Sequence, residues 1–246
     1  MRTRLSVSTG CWLVLLVLAT AATHAAAQAR LDIFVTPIPN APFSGTIHVE
    51  RTMIQRHGPV VSLRTIREIH RDSRGRIYNE ARQLLPSESN ATPEVISIHL
   101  YNPETRISTM LNTREKTFTS SAVNRPPETE PPVFNHASPT ASSPQNEFAK
   151  EEDLGTREMD GVSVHGIRET QTIPVEKDGD VKQVEVTDEY WYSADLRINM
   201  VIKHNDPLTG SVTMTVTGVT RAEPEPAVME IPEGYQRAGT VQKASQ

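Results

Sequence analysis

The residues that could do chemistry are sparse, and their spacing matches no catalytic constellation. A serine nucleophile elbow is written G-x-S-x-G and needs a sharp strand-to-helix turn. Gly161-Val-Ser163-Val-His165 comes nearest. Its last position is histidine and the segment reads as a strand, so Ser163 has no elbow to sit on. Past residue 29 there are seven histidines: His48, His57, His70, His99, His136, His165 and His204. None forms the H-E-x-x-H pair that places two imidazoles on one helix face for zinc. Asp178-Gly-Asp180 with Glu185 and Asp188 offers oxygen ligands. A calcium loop needs them at alternating positions, with glycine sixth and glutamate last, so this run reads as a polar hairpin tip. Glu151-Glu152-Asp153 reads as a solvated face. There is no phosphate-binding glycine loop and no dinucleotide fingerprint. The sequence therefore nominates no catalytic residue, no metal ligand and no cofactor, and the expectation is a protein that is not an enzyme.

Two binding surfaces remain to be weighed. Arg64, Arg67, Arg71, Arg74, Arg76 and Arg82 crowd one hairpin, with Tyr78 as the only aromatic nearby. A nucleic-acid platform needs stacking aromatics and a basic protein, and the formal charge is -5, so no nucleic acid is expected. Contact with anionic lipid or polysaccharide and a merely solvated hairpin both stay open. The second surface is apolar. Leu196, Ile198, Met200 and Ile202 alternate with Arg197, Asn199, Val201 and Lys203. After the turn Asn205–Gly210, Val212, Met214 and Val216 alternate with three threonines. Period two puts each apolar set on one strand face, and the pair makes a hairpin with one buried and one wet side. These seven are the candidate ligand-binding residues, and the flexible methionines would suit a pliable surface. The same seven would also serve as plain core.

The elements that must position these residues are strands. Asp160-Gly161 separates two alternating runs, and a two-residue Asp-Gly connection needs positive φ at both positions. Asp72–Gly75, Asn102-Pro103, Thr113-Arg114 and Asp178-Gly179 divide further runs. Phe43–Ile54 opens the series, Gly166 interrupts one strand, and Gly218 marks a bulge. The expectation is an all-β, mainly antiparallel fold: a curved meander sheet or half-barrel of about eleven strands. No helical stripe with caps stands out, although Glu147–Leu154 has room for one short helical turn.

Segments outside the sheet are marked by composition. Residues 122–149 hold six of the 18 prolines and read as a long Pro-rich insertion in a single β domain of residues 30–222. Residues 223–246 read as an extended tail, disordered past Arg237. Arg2 and Arg4, an apolar run from Cys11 to Ala22 and an alanine-rich exit have the order of a signal peptide, residues 1–29, cleaved after Ala27 or Ala29. Export to the periplasm or beyond follows, with no transmembrane span after cleavage. The only cysteine, Cys11, leaves with the signal, so neither a disulfide nor a thiolate metal site is expected. The remaining charge is uneven: residues 30–120 carry 12 basic and 9 acidic side chains, and residues 121–246 carry 11 and 21.

An exported chain of about eleven antiparallel strands resembles the LolA-like periplasmic lipoprotein carriers. The C-terminal run W-Y-S-A-D-L, D-P-L-T-G, R-A-E-P-E-P and I-P-E-G-Y (Trp191 to Tyr235) is similar to the ending of uncharacterised exported bacterial proteins. The resemblance implies a curved sheet that holds acyl chains on its concave face, so a non-enzymatic protein binding a lipid or other apolar ligand is expected. The alternative is an envelope scaffold or sensor that engages another envelope protein through sheet edges and the Pro-rich loop.

Overall fold

Alternation of apolar and polar residues, punctuated by short turns, yields strands almost everywhere. The computed structural model describes residues 32–55, 57–124, 149–177 and 179–238, and the fold lies in the unit Ile33–Gln246. The strands are β1 (Phe43–Met53), β2 (Val61–Arg71), β3 (Ile77–Arg82), β4 (Leu85–Pro86), β5 (Val95–Asn102), β6 (Ile107–Asn112) and β7 (Thr117–Ala122). They continue with β8 (Ala149–Met159), β9 (Val162–Lys177), β10 (Asp180–Ser193), β11 (Ile198–Asp206), β12 (Gly210–Thr220) and β13 (Gln236–Arg237). All belong to one curved, unclosed sheet. Its order is β13-β7-β6-β5-β3-β2-β1-β12-β11-β10-β9-β8, with β4 beside β2. Every pairing is antiparallel except β13 on β7.

Two meanders are thus joined by their outermost members: β1, the first strand, pairs with β12 along nearly its whole length. The strands on either side of the Pro-rich insertion, β7 and β8, consequently stand at opposite ends of the sheet. Residues 125–148 of the segment 122–149 expected as an insertion, residues 1–29 expected as a signal peptide, and the last eight residues lie outside the described residues.

Turn chemistry holds where it was legible. Asp160 and Gly161 have φ of 50° and 71°, as a primed two-residue turn requires. At Gly218, φ is 65° and the β1–β12 register slips by one residue, so the bulge is real. Gly166 is explained by packing: a Cβ there would lie 2.6 Å from the Trp191 ring.

Three expectations are corrected. Glu147–Leu154 forms no helical turn where it is described, because Ala149–Met159 runs as a strand along β9. The tail is not simply extended: Pro226–Met229 is a 3-10 turn, started by a proline whose missing N–H costs nothing there, and β13 then pairs with β7. The wet side of β11 is only partly wet: Asn199 and Val201, the latter paired with Trp191, are buried, while Lys203 is exposed.

Candidate functional site

Antiparallel partners share a face, so the register defines two faces. On face A, one row runs Thr65–Val49–Met214–Ile202–Tyr190–Ile167 across β2, β1, β12, β11, β10 and β9. All six are buried. Ile47 and Val216 flank this row, and alternation along β11 adds Met200. Five of the seven candidate ligand-binding residues, Met200, Ile202, Val212, Met214 and Val216, therefore fall in one continuous patch, while Ile198 lies beyond the β10–β11 register shift and pairs with Ser193. Leu196 sits in the β10–β11 turn at its end. The most exposed of the seven is only 6 % accessible. In this conformation they are core, and a ligand reaches them only if the face opens.

The patch is bounded by charge at both ends. At one end, the row Leu63–Arg51–Val212–His204–Asp188–Glu169 mixes apolar and ionic groups. His204 Nδ1 lies 2.8 Å from Asp188 Oδ1. That hydrogen bond, opposed by burial, raises the imidazole above its ordinary value. At the other end stands Arg71, paired with Phe43 across β1–β2 and wholly buried. Its Nε donates to Ala41 O at 2.8 Å, and its Nη1 donates to Thr36 O at 2.7 Å and Leu196 O at 2.9 Å. Its Nη2 is buried with no acceptor.

The arginine-rich hairpin is not a free basic surface. Arg76 is bound by Asp72 at 2.6 Å and Glu230 at 2.9 Å, Arg82 by Glu80 at 2.5 Å, and Arg74 by Glu104 at 2.9 Å. Arg64 donates to the carbonyls of Ser89 and Ala91. Glu80 is itself buried and also accepts from Tyr78 Oη and the Glu68 amide. Burial first, then the neighbouring Glu80 charge, drives the Tyr78 phenol far above its ordinary value. Arg76 and Arg82 thus neutralise the buried Asp72 and Glu80, while Arg74 pairs with Glu104 at the surface.

Face B carries an ionic row across β8–β11, beside the buried Val162, Val164, Trp191 and Val201, and is apolar across β5–β7. The row Lys203–Glu189–Arg168–Glu152 alternates in sign over four strands, and Arg157 lies 3.5 Å over the Trp191 ring. Burial would raise the Glu189 carboxyl, but hydrogen bonds from Lys203, Trp191 and Arg168 outweigh it and hold it at about 2. On β5–β7, Leu100, Thr109 and Leu111 are buried on face B. The C-terminal segment passes over that region, leaving a cavity of about 400 Å³ lined by Leu100, Ile107, Phe118, Met229, Ile231 and Arg237 among others. None of the seven candidates lines it. Sequence reasoning missed this cavity because the apolar residues of the tail, Val228, Met229 and Ile231, show no period.

Ser163 is exposed in β9 and has no elbow. His136 and Asp178 lie outside the described residues. Among the described residues no cluster of His, Cys, Asp and Glu could hold a metal, and no helix is long and apolar enough to cross a membrane.

No family model matches the chain, and no curated protein matches it. Solved structures with a similar strand layout include the Pseudomonas aeruginosa MucA/MucB complex. It shows 11 % identity over 86 % of this chain, with a TM-score of 0.36. This chain spans 60 % of the length of that one. A LolA-superfamily protein of Nitrosomonas europaea is similar at 7 % identity over 84 % of this chain and 96 % of its own, with a TM-score of 0.31. The Mycobacterium tuberculosis lipoprotein LppX is similar at 13 % identity over 83 % and 98 %, with a TM-score of 0.28.

Proposed function

We propose that the chain is a non-enzymatic exported binding protein, periplasmic or secreted, that holds a lipid or other apolar ligand on face A. The ligand would lie along Leu196, Ile198, Met200, Ile202, Val212, Met214 and Val216. The supporting observation is the unbroken apolar patch spanning six neighbouring strands of one open sheet. A sheet with one apolar face ordinarily buries it against a second layer of helices or strands. Among the described residues the only helical element is the four-residue turn Pro226–Met229. An acyl chain would supply apolar cover worth ~0.8 kcal/mol per buried methylene, which offsets the cost of opening the face.

The scaffold alternative relies on free sheet edges, and both edges carry features that oppose strand addition. The outer strand β8 bears Lys150, Glu151, Glu152, Asp153, Arg157 and Glu158, with a register shift between Asp153 and Gly155. Charges and bulges of this kind blunt edge pairing. At the opposite end, β13 occupies the start of β7, pairing with Thr117 and Phe118.

The test is extraction of the purified exported chain with organic solvent, followed by titration of the stripped protein with a fluorescent fatty acid. The reading expects co-purified lipid and saturable uptake near one chain per protein. Absence of both would overturn it.

A further inference from the structure

We propose that Arg71, assisted by Arg197, is an anion site that takes the charged headgroup, carboxylate or phosphate, of an amphipathic ligand whose chain lies on face A. This rests on the ligand-binding reading above. Arg71 shares face A with the apolar patch and stands at its end. Arg71 binds the carbonyl of Leu196 in the turn that leads into β11, and from Ile198 to Ile202 that strand runs ~13 Å at the rise of an extended strand. A headgroup held at Arg71 thus leaves an acyl chain lying along the candidate residues.

The case for an anion is one of missing counter-charge. Arg71 is fully buried, and among the described residues its partners are three carbonyls and the Phe43 ring, 4.8 Å away, with no carboxylate. A buried cation without an acid is costly. Carboxylates on the neighbouring turns have other partners: Asp72 and Glu230 bind Arg76, Glu104 binds Arg74, Asp195 binds Arg221, and Glu223 binds Ser73. Arg221 and Arg197 add cationic charge around Arg71, opposed only by the Tyr192 phenol. Burial first, then Arg221 and Arg197, lowers the Arg71 guanidinium to about 10, which leaves it protonated at neutral pH. A staple for the N-terminal segment explains three donated hydrogen bonds. It does not explain the absent acid, nor the Nη2 that faces no protein acceptor. A planar guanidinium presents two N–H groups side by side to a carboxylate or phosphate. Arg197 lies in the turn that supplies the Leu196 carbonyl, its side chain is exposed, and its charge acts on Arg71, so it is near the site without being part of the core.

The experiment compares palmitate, lysophosphatidate and methyl palmitate on the whole exported chain. Palmitate, lysophosphatidate or both should bind at least tenfold more tightly than the uncharged ester, and which of them does so names the headgroup. Arg71→Met should abolish that preference while ester affinity stays unchanged. Arg71→Lys should keep part of it. Arg197→Gln, outside the core, should reduce it about threefold, which keeps the test valid if Arg71→Met fails to fold. Equal binding of ester and acids by the native protein overturns the anion site and leaves the apolar-ligand reading intact. Loss of preference in Arg51→Gln but not in the Arg71 and Arg197 variants places the headgroup at the opposite end of the patch and also overturns it. Failure to bind any of the three removes both.

Discussion

The two wings of the sheet use the same alternating grammar and differ in which sides they bury. On β10–β12 the apolar set of face A is core: Val186, Tyr190, Met200, Ile202, Val212, Met214 and Val216 are all buried. Across β5–β7 the same face carries His99, Ser108, Met110, Thr119 and Ser121; Met110 is 47 % exposed, and only Tyr101, at the end of β5, is buried there. There the buried set, Leu100, Thr109 and Leu111, lies on face B beneath the C-terminal segment. Alternation determines which residues share a side; whatever covers the strand determines which side becomes core. One wing meets a covering segment of its own chain on face B. The other concentrates its apolar surface on face A, where the ligand is proposed.

The sharpest way to break that comparison uses one residue type on one face. Met200→Ala should cost about 2–5 kcal/mol, the range for truncating a buried methionine. Met110→Ala should stay within about 0.5 kcal/mol, as for surface substitutions. Urea denaturation of both variants reads this directly, and similar losses at both sites would show that face A is core in both wings.

The covering segment can be removed next. Met229 is buried over β5–β7, so Met229→Ala should cost about 2 kcal/mol, at the low end for core methionine because a cavity already adjoins it. Hydrogen exchange should quicken in β6 and β7 and stay unchanged in β11 and β12. Uniform quickening would mean that the wings open as one cooperative unit.

A smaller effect belongs to the second wing alone. Gly166→Ala drives a methyl into the Trp191 ring, and overpacking of this kind costs about 1–3 kcal/mol. The double variant with Trp191→Leu should recover part of that loss, read as a thermal melting shift. No recovery would remove Trp191 as the reason for glycine.

The smallest contrast is in pH dependence. His204 is raised by its hydrogen bond to Asp188. Its stabilisation is complete below the unfolded imidazole pKa and is lost as pH rises through the folded value. His70 and His99, lying toward the other wing, are lowered by burial. Their contribution is complete above the unfolded pKa and is lost as pH falls through the folded values. Histidine NMR titration should therefore place His204 above about 6.5 and the other two below it. The reverse order would contradict the packing described.

Much of this was legible in the sequence because it is local. Strand positions, the Asp160-Gly161 turn and the Gly218 bulge follow from neighbouring residues. Pairing of β1 with β12 is a contact between chain segments about 170 residues apart, and no periodicity encodes a partner. The same limit hid the burial of Arg71: its sequence neighbours Arg67, Arg74 and Arg76 suggest a solvated basic hairpin, while its actual contacts come from Thr36, Ala41 and Leu196. The seven candidate residues were found by alternation, and alternation could not say whether their face is a groove or a closed core.

Photo-crosslinking decides that point most directly. The stripped protein would be loaded with a fatty acid carrying a diazirine in its chain, irradiated, digested and mapped by mass spectrometry. If face A is the ligand surface, adducts concentrate on β11 and β12, at Ile198–Ile202 and Val212–Val216. Adducts confined to the cavity under the C-terminal segment, or none above the level seen with unfolded protein, would contradict it.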